Sequence, residues 1–346
     1  MPLLFDIERP GSTSEVRAPN CVTVGLINNM PDAALKSTER QFVDLMREST
    51  RSTVVRLMLF SISEVPRSDM ALRDMAGRYR DVSELWDAHL DGLIVTGTEP
   101  RSRDLKDEPY WNALGQVIDW AREHTASTIW SCLAAHAAVL RADGIERQLL
   151  PEKCSGVFVC EAIEQHAMTR GVATPMRIPH SRLNDLPERA LKSCGYRILT
   201  RSPVAGVDMF VKQERSFNVL LQGHPEYETD SLLREYRRDI DRYLRGERNH
   251  YPAVPQGYFD DESLAWANTF RNRALADRDG ELIKAFPMRE LEARLEGNWR
   301  GAAAAIYENW FEYLKERKAD RQTPMAPRRR AWRDRRSRRP RPTVVS

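Results

Sequence analysis

At 346 residues the chain exceeds one minimal domain and suits one large α/β domain with appendages. With 41% hydrophobic and 30% charged residues it can bury a sizeable core. The net charge of +3 hides a segregation: residues 328–341 hold nine arginines against one aspartate, +8, which leaves the remainder at −5 and excludes a nucleic-acid surface spread over the whole protein.

No stretch approaches the roughly 18–20 apolar residues that a bilayer requires. The start, MPLLFDIERPGS, carries acidic residues and no basic region ahead of an apolar run, so no signal peptide is expected. Cysteines stand at 21, 132, 154, 160 and 194, an odd number with no C-x-x-C pair. Neither a disulfide scaffold nor a zinc ribbon is expected, and the reading places the protein in the cytoplasm.

In chain order, residues 22–27 (VTVGLI) form a continuous apolar run ended by Asn28 and Asn29. Residues 37–48 follow with Phe42, Leu45 and Met46 on one helical stripe, then a strand-like run at 53–60. GLIVT at 92–96 ends in Gly97. A helical segment at 110–124 carries Leu114, Val117, Ile118 and Ala121 at helical spacing, and STIWS at 127–131 ends at Cys132. Such uninterrupted apolar strands belong to sheets buried on both faces. Their alternation with helices predicts an open, mostly parallel α/β sheet flanked by helices, with chemistry at the carboxyl ends of the strands. The strand NVLLQ at 218–222 is followed by Gly223-His224-Pro225-Glu226-Tyr227. After about Tyr258 the strands stop, and 263–274, 287–295 and 298–318 read as helices. Pro324, Pro327, Pro340 and Pro342 bracket the arginine run, which is expected to be disordered.

Two places carry candidate chemistry. Cys132 sits where STIWS meets the helical LAAHAAVL. A tight strand-to-helix turn presents a nucleophile above the sheet, and the helix N-terminus offers N–H groups for an oxyanion and a dipole that favours a thiolate. A buried core cysteine is the alternative. His224 and Glu226 are two apart, so extended backbone points both side chains the same way, and a carboxylate there fixes the imidazole's tautomer and supports its charge. An ordinary surface turn is the alternative. His136, one turn along the helix from Cys132, reads as a packing residue rather than the base, and His180 as lining the site or satisfying its loop. His89, His124, His166 and His250 share no ligand spacing, so no metal is expected.

Taken together, a strand-end cysteine before a helix and a later strand-G-H-P-E resemble the layout of class I glutamine amidotransferases and their relatives. GLIVTG (92–97), YW (110–111), C-x-A-x-x-A (132–137), EKCSGVF (152–158), PHSR (179–182) and GHPEY followed by EYRRD (223–239) resemble one branch of that superfamily, the homoserine O-succinyltransferase family. The resemblance spans about residues 21–275. It implies a flavodoxin-like acyltransferase domain at 21–275; outside the resemblance, an extension at 1–20 is expected before it and a helical extension at 276–320 and a basic tail at 321–346 after it.

By position, the resemblance makes Cys132 the acyl-accepting nucleophile, His224 the base and Glu226 its orienting acid. It places substrate contacts on Lys153, Ser181 and Arg238, and the N–H of Leu133 at the oxyanion. An arginine fork suits a carboxylate. The acyl-donor position falls on Arg101, where the family offers Gly or Glu, and an arginine there would suit the free carboxylate of a succinyl group. Three more departures stand out: Leu133 replaces a Trp, His136 replaces a Gln, and Met30-Pro31 is followed by Asp32-Ala33, with Thr38-Glu39-Arg40-Gln41 two residues late. The departures leave the triad untouched and the donor and acceptor open.

The expected function is therefore succinyl transfer from succinyl-CoA, a co-substrate rather than a cofactor, to homoserine in methionine biosynthesis. The expected assembly is a homodimer, with no membrane partner. An acetyl donor, another hydroxy amino acid as acceptor, or a glutamine amidotransferase-type amide hydrolase are the alternatives. A non-enzymatic reading, in which the arginine run and Trp332 bind nucleic acid, is the more distant one.

Overall fold

The computed structural model describes residues 3–5, 21–50 and 53–322. The arginine run with Trp332 lies outside the described residues, as does most of the 1–20 extension. In chain order the elements are β1 (Leu3–Phe5), β2 (Cys21–Ile27), α1 (Asp32–Ser49), β3 (Val54–Ser61), α2 (Asp69–Met75), β4 (Tyr79–Asp81), β5 (Gly92–Val95), α3 (Trp111–His124), β6 (Ser127–Ser131) and α4 (Leu133–Asp143). Then come β7 (Gln148–Ala162), β8 (Met176–Asp185), α5 (Glu188–Ser193), β9 (Arg197–Ile198), β10 (Thr200–Ser202), β11 (Gly206–Val207), β12 (Met209–Gln213) and β13 (Phe217–Leu221). Four helices follow: α6 (Ser231–Leu244), α7 (Asp261–Ala276), α8 (Met288–Glu292) and α9 (Arg300–Gln322).

The larger sheet runs β1-β3-β2-β5-β6-β13-β12-β9, with β4 beside β3. Its pairs are parallel from β1 through β13, and β12 is antiparallel to both β13 and β9. Every residue of β2, β5, β6 and β13 is buried. Alternation along each strand splits their side chains between two cores. Ile27, Leu93 and Val95 pack with α3 and α4 on one face, while Val24, Leu26 and Ile94 pack with α1 and α9 on the other. The expected open parallel sheet with a helical layer on each face is the observed one.

A second sheet, β11-β10-β7-β8, was not foreseen. The long hairpin of β7 and β8 is antiparallel, with Ser155 opposite Ser181 and Cys154 opposite Arg182. β7 is buried only at residues 156–158 and 160, and β8 mixes buried with half-exposed and exposed positions, so the pair lacks the continuous apolar runs that mark the larger sheet. A third core joins α6, α7 and α8 through Leu232, Tyr236, Ile240, Phe270 and Leu291.

Helix boundaries move by a few residues from expectation. α9 reaches Gln322 because Ala302–Ala305, strong helix formers, lead into a buried stripe of Ile306, Tyr307, Trp310, Phe311 and Leu314. Each fully buried large apolar side chain of this kind contributes about 1.5–3 kcal/mol. The Trp310 indole also donates to Ser127 Oγ at 2.9 Å, tying α9 to β6. Among the described residues no helix is long and apolar enough to cross a membrane.

Candidate active site

Neighbouring parallel strands bring Cys132 and His224 together. β6 and β13 pair with Ser131 opposite Leu221, and the Cys132 N–H then donates to the Leu221 carbonyl at 2.7 Å. This ties Cys132 to Leu221, three residues before His224 in the chain. Cys132 has φ 50° and ψ −110°, and is the one non-glycine residue of positive φ among the described residues. A side-chain-bearing residue held there costs about 1–3 kcal/mol, a strain concentrated at functional sites. The turn feeds directly into α4, whose first N–H groups lack partners one turn back, Leu133 among them. Gly97 at the end of β5 keeps this spot open: a Cβ there would lie 3.1 Å from the Leu133 nitrogen.

His224 Nδ1 lies 2.8 Å from Glu226 Oε1, so the expected pairing is formed. Ser131 Oγ donates to the same oxygen at 3.3 Å. Burial acts to lower the His224 pKa, but negative charge at Cys132 and Glu226, with hydrogen bonds to both, outweighs it and holds the imidazole well above the ordinary histidine value. A proton on His224 is thus favoured while the sulfur carries charge. Cys132 is partly exposed and His224 Nδ1 is occupied, so the opposite ring edge is left for the sulfur.

His136 is buried and bonds Gln222 Oε1 through Nε2 at 2.9 Å. Burial pushes its pKa down to about 3, so it stays neutral. The side-chain amide of Gln222 in turn donates to Asp185 Oδ1 and the Val207 carbonyl. His136 therefore props the turn before His224.

Of the other three carried-over residues, Lys153 and Ser181 converge beside His224, and Arg238 lies at the edge of the same cluster. EKCSGVF lies on β7 and PHSR on β8, so strand pairing brings Lys153 and Ser181 to one edge. The meeting point is a residue the sequence reading passed over, Glu235 of α6. Lys153 Nζ is 3.2 Å from Glu235 Oε2 and 3.0 Å from Asp239 Oδ2. Ser181 Oγ donates to Glu235 Oε2, and the Tyr227 hydroxyl donates to Oε1 at 2.6 Å. Burial raises the Glu235 carboxyl, yet Lys153 and the bonds from Ser181 and Tyr227 outweigh it and leave its pKa lowered. The Tyr227 ring stacks on His224 with centroids 4.3 Å apart, which sets the cluster against the base. Arg238 is exposed and touches Asp239 Oδ1 at 3.1 Å, with its guanidinium half open to solvent. The i, i+4 spacing of Glu235 and Asp239 inside EYRRD was a signal for this cluster, because it puts two carboxylates on one face of α6.

Two stretches singled out in the sequence lie elsewhere. The Arg101 side chain is exposed, and its loop is held instead by backbone bonds from Arg101 and Ser102 to Glu108 Oε1, both 2.6 Å. The Thr38-Glu39-Arg40-Gln41 stretch anchors α1 to the start of α6, through Arg40 to Glu228 at 2.5 Å and Gln41 to Ser231 at 2.8 Å.

Among the described residues one buried group, Cys160, His180 and Asp208, has donors close enough to hold a metal. His180 Nε2 lies 3.3 Å from Asp208 Oδ1, and the group is fully enclosed directly beneath Gly223, where a Cβ would sit 2.6 Å from Asp208 Oδ1. With three donors and no open face, it suits a support for the His224 turn better than a catalytic metal site, which keeps an open position.

Arranged this way, the site can attack a carbonyl with sulfur, move a proton through imidazole and hold a small zwitterion beside both. The homoserine O-succinyltransferase family pattern matches residues 10–321. A homoserine O-succinyltransferase of Rhodopseudomonas palustris is 47% identical over 85% of this chain and 88% of its own length. One of Bradyrhizobium japonicum is 46% identical over 91% of this chain and all of its own. A solved glutamine amidotransferase of Thermotoga maritima covers 85% of this chain and 98% of its own at 14% identity, with a TM-score of 0.47. On the family pattern and the close relatives, this chain belongs to the homoserine O-succinyltransferase family.

Proposed function

We propose that the protein transfers the succinyl group of succinyl-CoA to the homoserine hydroxyl through an acyl-cysteine at Cys132. Cys132 Sγ attacks the thioester carbonyl, and the N–H of Leu133 faces the oxyanion. The C–S bond to CoA breaks, and His224 gives its proton to the departing thiolate. Acylation removes the charge at Cys132 that helped raise the His224 pKa, so the imidazole is left neutral and ready to accept a proton. It then takes the proton of the homoserine hydroxyl, whose oxygen attacks the acyl-cysteine and releases Cys132. Glu226 holds the imidazole throughout.

The observation that carries this reading is the charged cluster of Glu235, Lys153 and Ser181 set one stacked ring from the base. A zwitterionic acceptor needs both signs of charge at fixed positions beside the nucleophile. Glu235 and Asp239 suit its ammonium, while Arg238, with Lys153 adjacent, suits its carboxylate. Action as a homodimer in the cytoplasm, with no cofactor beyond the acyl-CoA substrate, belongs to the same proposal.

The test is to mix purified protein with succinyl-CoA in the absence of acceptor and look for a succinyl adduct on Cys132 by peptide mass spectrometry. Homoserine should then discharge it, and steady-state double-reciprocal plots should be parallel. An adduct from acetyl-CoA alone would change the donor. Hydrolysis of glutamine with no adduct from either CoA ester would overturn the reading in favour of an amide hydrolase.

A further inference from the structure

We propose that Tyr227 is a positioning residue that holds the His224 imidazole and the Glu235 carboxylate in register, so that an acceptor bound at Glu235 presents its hydroxyl to the base. This inference rests on the acyltransferase reading above and deepens it.

His224 Nδ1 is anchored by Glu226 Oε1 at 2.8 Å, but one hydrogen bond fixes one ring atom and leaves the ring able to turn about that bond. The Tyr227 ring removes this freedom. It lies nearly parallel to the imidazole, at 18° with centroids 4.3 Å apart, so a turned imidazole would drive its edge into the phenol face. The same side chain ends in a hydroxyl that donates to Glu235 Oε1 at 2.6 Å. Lys153 and Ser181 address the other oxygen, Oε2. The carboxylate is thus oriented through both oxygens, and Oε1 has a second lone pair for an ammonium. Burial first, and then the charge of Glu235, hold the Tyr227 pKa well above 10, so the phenol keeps the proton it donates.

Tyr227 lies between β13 and α6, where no helix or strand fixes the backbone. Side chains from further along the chain fix it instead. The buried Trp299 indole donates to the Tyr227 carbonyl at 2.9 Å, and Arg300 donates to the Glu226 carbonyl at 3.4 Å. The Tyr258 hydroxyl donates to the Thr229 carbonyl. Gly297 closes on the same turn, since a Cβ there would meet Thr229 Cγ2 at 2.5 Å. With backbone, ring and hydroxyl all held, Tyr227 is a rigid spacer between the imidazole and Glu235. Rigidity counts here because a misplacement of about 1 Å can cost about 100-fold in rate.

The experiment follows two half-reactions of the full chain separately: acylation of Cys132 by succinyl-CoA, and discharge of the adduct by homoserine. Tyr227→Phe keeps the stacked ring and loses the hydroxyl. It should lower kcat/KM of discharge by about 10- to 100-fold, as for a lost hydrogen bond to a charged group, and acylation by less than about threefold. Tyr227→Leu loses both contacts and should lower acylation as well, by about 10-fold or more, because the ring that orients the imidazole is gone. A side chain that only stabilised the fold would lower both half-reactions together in either variant. An equal effect of Tyr227→Phe on the two half-reactions, or none on either, overturns the proposal, whether or not Tyr227→Leu folds. A folded Tyr227→Leu that acylates at the wild-type rate overturns it too. If the wild-type protein forms no adduct from any CoA ester, the acyltransferase reading falls and takes this inference with it. If the wild type acylates and discharges but Tyr227→Phe does not split the half-reactions, this inference alone fails.

Discussion

The candidate site is assembled from two sheets that work in different ways. Cys132, His224 and Glu226 hang from the ends of β6 and β13, adjacent parallel strands of the large sheet. Lys153 and Ser181 come from β7 and β8 of the small antiparallel sheet and meet Glu235 on α6. The first group is a short line of contacts around one strained residue. The second is a closed net in which each charge has a partner. On the proposed mechanism, reaction and recognition are housed separately, and each should fail in its own way when cut.

The largest effect is expected at Cys132. Cys132→Gly should reduce turnover by about 10⁴-fold or more, because residues of a catalytic unit act together and removing the nucleophile ends the covalent route. The same variant should unfold at a higher denaturant midpoint, by about 1 kcal/mol, since glycine accepts the positive φ that a side chain resists. Cys132→Ala should be as inactive without the gain. Urea titrations of the two variants separate strain from chemistry. Equal stabilities would mean that the turn stores no strain at Cys132.

Glu235→Gln tests the other sheet. It keeps the shape of the net and removes the charge that Lys153, Ser181 and Tyr227 all address. The homoserine kcat/KM should fall by about 100-fold, in the range for truncating one partner of a buried charge pair. Acylation of Cys132 by the CoA ester alone should be little changed. A matching loss in both half-reactions would show that the two regions are not separate, and that Tyr227 carries the damage to His224 through their stacked rings.

The two regions also differ in how far the sequence disclosed them. The large sheet announced itself because buried parallel strands are continuous apolar runs, and a cysteine or a His-Pro-Glu at the end of such a run is locally visible. The small sheet is half exposed, so its strands carry no such mark. Lys153 and Ser181 came from family resemblance. That they face each other follows from a pairing with Ser155 opposite Ser181, which no local spacing states. Glu235 was hidden for another reason. A glutamate in a helix rich in Arg and Asp looks like a solvated face until a second sheet is placed over it.

His136 shows a local departure absorbed without loss of geometry. It stands where the family pattern has Gln, and its bond to Gln222 is one a glutamine side chain can also make. Its folded-state pKa is about 3, below the 6.5 of an unfolded histidine. Between these values the unfolded chain binds the extra proton, so the stability present above about pH 6.5 is lost as pH falls toward 3, by at most about 1.4 kcal/mol per pH unit. His136→Gln should remove this slope. Urea midpoints at pH 7 and pH 4.5 should fall less in the variant than in the wild type, and an identical fall in both would assign the acid sensitivity to other groups.

The smallest effect concerns the support behind the triad. Glu226 Oε2 and the Tyr307 hydroxyl of α9 are both buried without a hydrogen-bond partner among the described residues. Burial first, and then the charge of Glu226, hold the Tyr307 pKa well above 10, so the phenol is neutral. A buried hydroxyl that bonds nothing costs stability, because it gave up water and gained no replacement. Tyr307→Phe should therefore leave stability unchanged or raise it by about 1 kcal/mol, with turnover little altered. Loss of kcat with KM intact would instead mean that the phenol reaches Glu226 during the reaction. In that case the parallel-sheet half of the site would need α9 to position its acid, and the triad would no longer be a local product of two strand ends.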